Sequence, residues 1–472
     1  MQNYEGFKEN IASAVERFKQ LEKNERIRVI SHLDADGICA CSILLKAFNH
    51  DNRNYSISIV QQLNEKILIS LAKEPYNYYF FTDLGSGQID LINKYLKGKV
   101  AFILDHHELK ETQPNENVVH VNPHLYGIDG GKEISGSGVV YLFTNKLNNK
   151  KDMAHIAVIG AIGDVQENHG FEKLNASILQ AAVEQGKIQI KKGLRVFGVQ
   201  TRPLHKILEY CSDPYIPGVS GSESGAIQFL QQLDIEPRNE KGWRKMVNLT
   251  EEETQKLIAA VIMKRSGEDN PEDVIGNIYS LNDEEPESSL KDAKEFATLL
   301  NSCGRLSKAS LGIGVCLNDK VAKEKALENA SDYKREIVKA LNWYNDNKTS
   351  SDITLEDGFI IINAKENIIP SMIGTTASIL SKSNDLKKGT LIMSLARNVM
   401  EDTTKVSLRI SGRNNDVDLR KFVENISSPI EGAQAGGHMG AAGAMIPTEK
   451  ESDFIKEAKR VLSANAIEEK IE

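Results

Sequence analysis

The chain is short of several things, and each shortage closes off a class of protein. Among 472 residues there are five cysteines and no CxxC pair. That excludes a disulfide framework and zinc-ribbon spacing, and it suits a reducing, cytoplasmic setting. No apolar run approaches the ~20 residues of a membrane-spanning helix. The N-terminal stretch MQNYEGFKEN is neither basic nor apolar in the manner of a secretory signal. There is no basic excess either: 58 Lys and Arg face 66 Asp and Glu, a net charge of −8. A broad positive coat for nucleic acid is therefore absent, and any polyanion must be held locally or through metal. No sequence repeat and no low-complexity tract is visible. What is present, 40% hydrophobic and 26% charged residues, is ordinary for a soluble globular chain. The length favours two or three compact units.

Residues 1–200 read as α/β. RIRVISH (26–32), YSISIV (55–60), YYFFTDLG (78–85), VAFILDHH (100–107) and VVHVNP (118–123) are short β-rich runs bounded by turn or charged residues. Continuous apolar strands alternating with helical segments such as GICACSILLKAF predict a parallel sheet covered on both faces. Residues 201–347 are mostly helical in pattern, with acidic breaks at 267–273 and 282–289. Ala326, Ala330, Tyr333, Ile337, Leu341 and Tyr344 recur at three- or four-residue steps, one face of a long helix. A polar linker, NDNKTSSD (345–352), leads into a second, smaller α/β segment over 353–472. In it FIIINA, TLIMSLA and KVSLRIS read as strands, and SMIGTTASILS, LRKFVENI and FIKEAKRVLS as helices.

The stretch SHLDADG (31–37) crowds His32, Asp34 and Asp36 at the end of an apolar strand. A helix N-cap accounts for one aspartate, not for both and a histidine. An EF-hand does not fit, because Ile38 falls at the third ligand position and no glutamate closes the loop. Three other apolar runs end alike: Asp83 after YYFFT, Asp105, His106 and His107 after VAFIL, and Asp164 after AVIGAIG. In an open parallel sheet, ligands collect beyond the carboxyl ends of the strands. Reading all four runs as strands brings these residues to one crevice. Bare carboxylates there would repel one another and be costly to desolvate. Divalent cations remove that difficulty, and oxygen donors with a few imidazoles suit Mg²⁺ or Mn²⁺, Mn²⁺ being the more tolerant of histidine.

DADG, TDLG, DHH and GAIGD, in this order, resemble the four motifs of the DHH phosphoesterase superfamily. GGHMGAAGA (436–444) resembles the GGH signature of the associated DHHA1 domain. VNP (121–123) followed by SGSGVVY (135–141), and NSCGRL (301–306), are similar to stretches of RecJ-type nucleases. The resemblance covers most of the chain and is weakest over 200–290. The compact length is closer to archaeal RecJ-like nucleases than to the longer bacterial ones. His32 stands where bacterial RecJ proteins often carry another aspartate, and a histidine near there occurs in related phosphatases.

The resemblance implies a DHH catalytic domain over 1–200, a helical connecting region over 201–347 and a DHHA1 substrate-binding domain over 353–472, with the active cleft between the first and last. It implies two metal ions bridged by Asp83, with His32 and Asp34 on one side and Asp36, His106 and Asp164 on the other. Asp105 would orient His106 from behind, as carboxylates do for metal-bound imidazoles. Two ions ~3.5–4 Å apart can activate a water and clamp a phosphate. His107 would bind phosphate or protonate the leaving group. Ser135, Gly136, Arg305, Arg409, Arg413, Gly436, Gly437 and His438 would hold the substrate; Arg409 and Arg413, four apart on a strand, would share a face. The implied activity is processive 5′→3′ digestion of single-stranded DNA to mononucleotides, in replication or repair. Relatives widen this to 3′→5′ digestion of RNA, and to phosphodiesterases on very short RNA or cyclic dinucleotides. A third class is a replisome scaffold that has lost metal ligands; archaeal relatives also bind the GINS replication complex. The basic run KKGLRVFGVQTR (191–202) reads equally as a path for the strand and as a solvated face.

Overall fold

A computed structural model describes residues 2–148, 152–167, 170–240, 242–383, 386–412, 417–438 and 440–468. The chain divides into two compact units, 1–330 and 331–472.

The first unit is built on five strands: β1 (Ile27–His32), β2 (Tyr55–Val60), β3 (Tyr78–Thr82), β4 (Val100–Leu104) and β5 (Val118–Val121). All pair in parallel, in the order β2-β1-β3-β4-β5. The interleaved helices are α1 (Tyr4–Lys19), α2 (Ala35–His50), α3 (Glu65–Ala72), α4 (Ile89–Tyr95), α5 (Gly136–Asn148), α6 (Ala154–Gly163) and α7 (Lys173–Glu184). Period-two alternation assigns the sheet's side chains to opposite faces. Val29, Phe80 and Phe102 join Phe18, Phe48 and Phe143 on one face, while Tyr79, Phe81 and Ile103 join Leu68, Leu71 and Ile92 on the other. Phe80 and Phe102 stack at 4.5 Å, and Phe18 meets both edge-on. Each such ring contributes about 1.5–3 kcal/mol by burial, plus about 0.5–1.5 kcal/mol per well-placed aromatic pair. This core holds the strand tips still. The chain leaves β1 toward β2 on one side and β3 on the other, so the crevice of the topological switch opens at the ends of β1 and β3.

One expected strand is a helix. The run before Asp164 forms α6, and Asp164 is its C-cap rather than a strand tip. Ala154–Gly163 is apolar at nearly every position, so it has no periodicity to tell a buried helix from a buried strand. Its glycines let it pack tightly: a Cβ on Gly160 would lie 2.1 Å from Ser137 Oγ, and one on Gly163 2.7 Å from Ala35 Cβ.

Strand β6 (Ile188–Leu194) then leads into a module with its own core, from Leu194 to Val274. It contains α8 (Leu204–Glu209), α9 (Glu223–Gln232), the two-residue ribbon β7 (Arg238–Asn239) and β8 (Gly242–Trp243), and α10 (Glu251–Lys264). The chain returns along β9 (Ile275–Leu281), antiparallel to β6. Helices α11 (Ala293–Arg305) and α12 (Ala309–Cys316) follow. Phe296, Leu300, Cys303 and Ile313 share one core with Ile38, Leu44 and Val158. Within the expected 201–347 connecting region, residues up to Val274 have a core of their own, whereas α11 and α12 pack into the core of the sheet. Helix α13 (Lys320–Asp346) buries Ala326, Tyr333 and Tyr344 of the expected face, with Ala330, Ile337 and Leu341 half-buried and Ala340 buried beside them, and the unit boundary falls within it.

The second unit is a six-stranded mixed sheet ordered β10-β11-β12-β13-β15-β14. Its strands are β10 (Ile353–Glu356), β11 (Phe359–Asn363), β12 (Leu391–Asn398), β13 (Thr403–Ile410), β14 (Gln434–His438) and β15 (Ala441–Pro447), with α14 (Pro370–Ser381), α15 (Leu419–Ser427) and α16 (Glu451–Glu468). Only β11 and β12 pair in parallel. Among the described residues, no helix is long and apolar enough to cross a membrane.

Candidate metal centre

The loop after β1 is held by short-range chemistry. Asp34 is the N-cap of α2: its Oδ1 accepts from Gly37 N–H at 3.0 Å. Its Oδ2 lies 2.9 Å from His32 Nδ1. One aspartate thus caps with one oxygen and keeps the other for the site. Gly37 is required here, since a Cβ would sit 2.4 Å from the His32 carbonyl oxygen. Asp36 is fully buried, and its Oδ1 accepts from Ser137 N–H at the start of α5 (3.1 Å).

Asp83 follows β3 with φ +59°, a left-handed conformation that costs a non-glycine residue energy and is typical of functional positions. Its two oxygens look to different neighbours: Oδ2 lies 3.5 Å from His32 Nδ1, and Oδ1 lies 3.2 Å from His106 Nε2. His106 Nε2 is also 3.2 Å from Asp164 Oδ2 and 3.8 Å from Asp36 Oδ2. The His106 ring is oriented from behind by the Gly130 carbonyl, 2.7 Å from Nδ1. Gln166 donates to the same carbonyl at 3.0 Å, and Asn175 donates to Gln166.

Asp105 behaves differently. It accepts from the amides of Ser86 (2.9 Å), His106 (2.8 Å) and His107 (3.2 Å), and its Oδ1 lies 2.7 Å from His107 Nδ1. It therefore orients the His107 ring, not that of His106. Burial would raise its pKa, but His107 and His106 carry it well below the usual carboxylate range. His107 is the most open of the group, 39% exposed at the side chain. Burial lowers its basicity and Asp105 more than restores it.

Three groups of side chains bring ligand atoms within 4.8 Å of one another: His32, Asp34 and Asp83; Asp36, His106 and Asp164; and Asp83, His106 and His107. Both Asp83 oxygens, Asp36 Oδ2 and His106 Nε2 are buried without a hydrogen-bond partner. Burial and the charges of Asp83 and Asp164 push Asp36 well above the usual carboxylate range. Burial, with Asp34 and Asp83, lifts Asp164 to about 7 despite His106. Burial alone would lower His32 and His106, yet the carboxylates around them raise both well above the ordinary imidazole value. Orphaned buried oxygens beside imidazole nitrogen fit hard or borderline divalent cations.

The structure sets Ser135 and Gly136 behind this cluster rather than on an open surface. Ser135 is fully buried and Gly136 is buried at the first turn of α5. A Cβ on Gly136 would lie 2.5 Å from Asp83 Oδ1, so this glycine makes room for the carboxylates. Arg305 ends α11 directly after Gly304, whose added Cβ would fall 1.6 Å from the Leu33 carbonyl oxygen. Asn301 Oδ1, one turn earlier, accepts from Ala35 N–H at 3.0 Å. The NSCGRL stretch thus braces the DADG loop through Asn301 and Gly304, a role the sequence reading did not give it. In the second unit, Arg409 on β13 donates to Ser378 Oγ (3.0 Å) and to the Leu408 carbonyl (2.8 Å). Arg413 lies outside the described residues, and so does the side chain of His438. Gly436 and Gly437 are part of β14, paired with Gly443 and Ala442 of β15. Lys191 and Lys192 are exposed on β6.

Residues 26–163 match the DHH family N-terminal domain, 196–278 the DHH-CID domain and 357–464 the DHHA1 domain. An uncharacterized protein of Methanocaldococcus jannaschii is 29% identical over 468 residues, spanning 95% of this chain and 98% of that protein. Among solved structures, RecJ from Thermus thermophilus in complex with Mn²⁺ superposes with a TM-score of 0.58 at 17% identity, over 97% of this chain and 55% of that one. An exonuclease RecJ bound to manganese gives 0.56 at 17% identity, over 98% and 95%. CDC45 from Entamoeba histolytica gives 0.59 at 14% identity, over 98% of both chains. The chain carries the DHH, DHH-CID and DHHA1 domains of the DHH/DHHA1 superfamily, whose DHH members are metal-dependent phosphoesterases, and it shares its fold with the RecJ and CDC45 structures.

Proposed function

We propose that this chain is a metal-dependent exonuclease on single-stranded nucleic acid, acting 5′→3′ on DNA and releasing mononucleotides in replication or repair. One observation carries the reading: Asp83 faces two donor groups at once, with both oxygens buried and unpartnered. His32 and Asp34 would hold one divalent ion with Asp83; Asp36, His106 and Asp164 would hold the second. Bound there, Mn²⁺ in preference to Mg²⁺ would supply Lewis acidity toward a phosphodiester and a water acidic enough to attack it. The protein's own work is positional. Gly130 and Gln166 fix His106, Asp105 fixes His107, and α11 fixes the DADG loop. His107, open to solvent and anchored through Nδ1, would protonate the departing alkoxide.

The RecJ neighbours support this reading through fold and through the metals in their names. A scaffold that does not hydrolyse, the reading CDC45 suggests, would have no use for a cluster in which both Asp83 oxygens, Asp36 Oδ2 and His106 Nε2 are buried without a hydrogen-bond partner. A GINS-like replication partner is compatible with the nuclease and would act beside it.

The test is digestion of single-stranded DNA and RNA, each labelled separately at either end, with Mn²⁺, Mg²⁺ or EDTA. Stepwise, metal-dependent mononucleotide release from 5′ ends of DNA is the expected result. Release from 3′ ends of RNA, or cleavage confined to dinucleotides, would replace it with one of the other phosphodiesterase readings. No cleavage of any strand would remove the exonuclease.

A further inference from the structure

The residue after Asp164 does not suit its own backbone. Helix α6 closes with two reverse hydrogen bonds: Val165 N–H to the Ile162 carbonyl at 3.0 Å, and Gln166 N–H to the Ala161 carbonyl at 3.0 Å. This pair of bonds places the first residue past the cap in the left-handed region, where glycine is the usual occupant. Here it is valine, at φ +60°. A β-branched residue is among the least tolerant of that conformation. Burial does not offset the strain, because Val165 is 60% exposed.

Its neighbours explain why the backbone stays there. Asp164 reaches to within 3.2 Å of His106 Nε2. Gln166 is buried and donates to the Gly130 carbonyl that also orients His106. Both flanking residues are therefore committed to the donor cluster, and the turn between them presents one side chain to solvent at its rim. Stability alone would favour glycine at this turn. Strain that persists at a site without a packing return points to a use outside the folded chain. An isopropyl group makes no hydrogen bond and cannot hold phosphate. It can make apolar contact, and the apolar parts of a nucleotide are the carbon face of its sugar and the face of its base.

We infer that Val165 is a substrate-contacting residue, packing on the nucleoside whose phosphate lies at the donor cluster, and that this contact sets strand affinity rather than the hydrolytic step. The inference rests on the nuclease reading above.

The experiment compares wild type with Val165→Gly and Val165→Ala on a labelled single-stranded oligonucleotide with Mn²⁺. Glycine relieves the left-handed strain and alanine does not, so the Gly variant melts about 2 °C higher than wild type while the Ala variant does not. Both variants raise KM about five- to tenfold, with kcat within about threefold, because a contact made equally in ground and transition states has been removed. Mn²⁺ affinity, read by calorimetry, stays within about twofold. A KM within about twofold of wild type in both variants would overturn the inference. So would a fall in Mn²⁺ affinity in step with kcat, which would assign Val165 to holding Asp164. If wild type digests no strand, the nuclease reading fails and takes this inference with it; digestion with an unmoved KM sinks the inference alone.

Discussion

Asp83 and Asp105 are two buried aspartates at the tips of neighbouring parallel strands, 2% and 0% exposed. Asp105 accepts four hydrogen bonds, and Asp83 accepts none. The difference separates a structural carboxylate from a candidate metal ligand more cleanly than burial or position does. A buried carboxylate is tolerated either because the protein satisfies it or because something else will.

The contrast can be broken most forcefully at Asp83. An Asp83→Asn variant should lose at least ~10³-fold in strand digestion, and the rise in melting temperature that Mn²⁺ gives wild type should disappear from it. A Mn²⁺-dependent rise kept in full by the variant would make Asp83 structural after all. Gly304→Ala tests the brace behind the DADG loop. Its new methyl has no space against the Leu33 carbonyl, so the helix or the loop must move; activity should fall ~10²-fold and stability by about 1–3 kcal/mol. Asp105→Asn should show the reverse balance from Asp83→Asn. It should cost about 2–3 kcal/mol in denaturant unfolding, as four donors lose their charged acceptor, with Mn²⁺ affinity reduced less than tenfold.

The smallest effect is expected at a third buried aspartate. Asp292, the N-cap of α11, is raised to about 7 by burial and by Glu295, despite accepting two amide hydrogen bonds. An unfolded aspartate titrates near ~3.9. Between these values the folded chain keeps a proton that the unfolded chain has released. The stability linked to that proton is complete below about pH 4 and is lost as pH rises through 7. Asp292→Asn should therefore gain on wild type as pH goes from 5 to 8, by about 1–2 kcal/mol at the upper end. Parallel melting-temperature curves for the two proteins would refute this.

Much of the site was legible because parallel strands advertise themselves. YYFFT and VAFIL are unbroken apolar runs, and a charged residue directly after each marks the tip. Asp164 was legible as a donor but not as a helix cap, since Ala154–Gly163 carries no polar face to set a period. The carbonyl of Gly130 could not have been read, because every residue has a carbonyl and only folding aims one. Asn301 and Gly304 were recognised within a motif but credited to its arginine, the residue with the evident charge. Their task is to fit against Leu33 and Ala35, far earlier in the chain, and a close approach leaves no mark in sequence except a small residue. The β14–β15 hairpin was hidden for a related reason: Gly436, Gly437 and Gly443 offer no side-chain alternation to betray a strand.

The β6–β9 ribbon also bears on ancestry. Leu194 and Ile275 stand opposite one another in register, so the 195–274 module leaves and re-enters at adjacent points and carries its own apolar core. A chain with such a doorway can acquire or discard a whole folded insert at the cost of one tight reverse turn. The nuclease-like sheet and the insert could then have evolved at different speeds, each answering to a different selection.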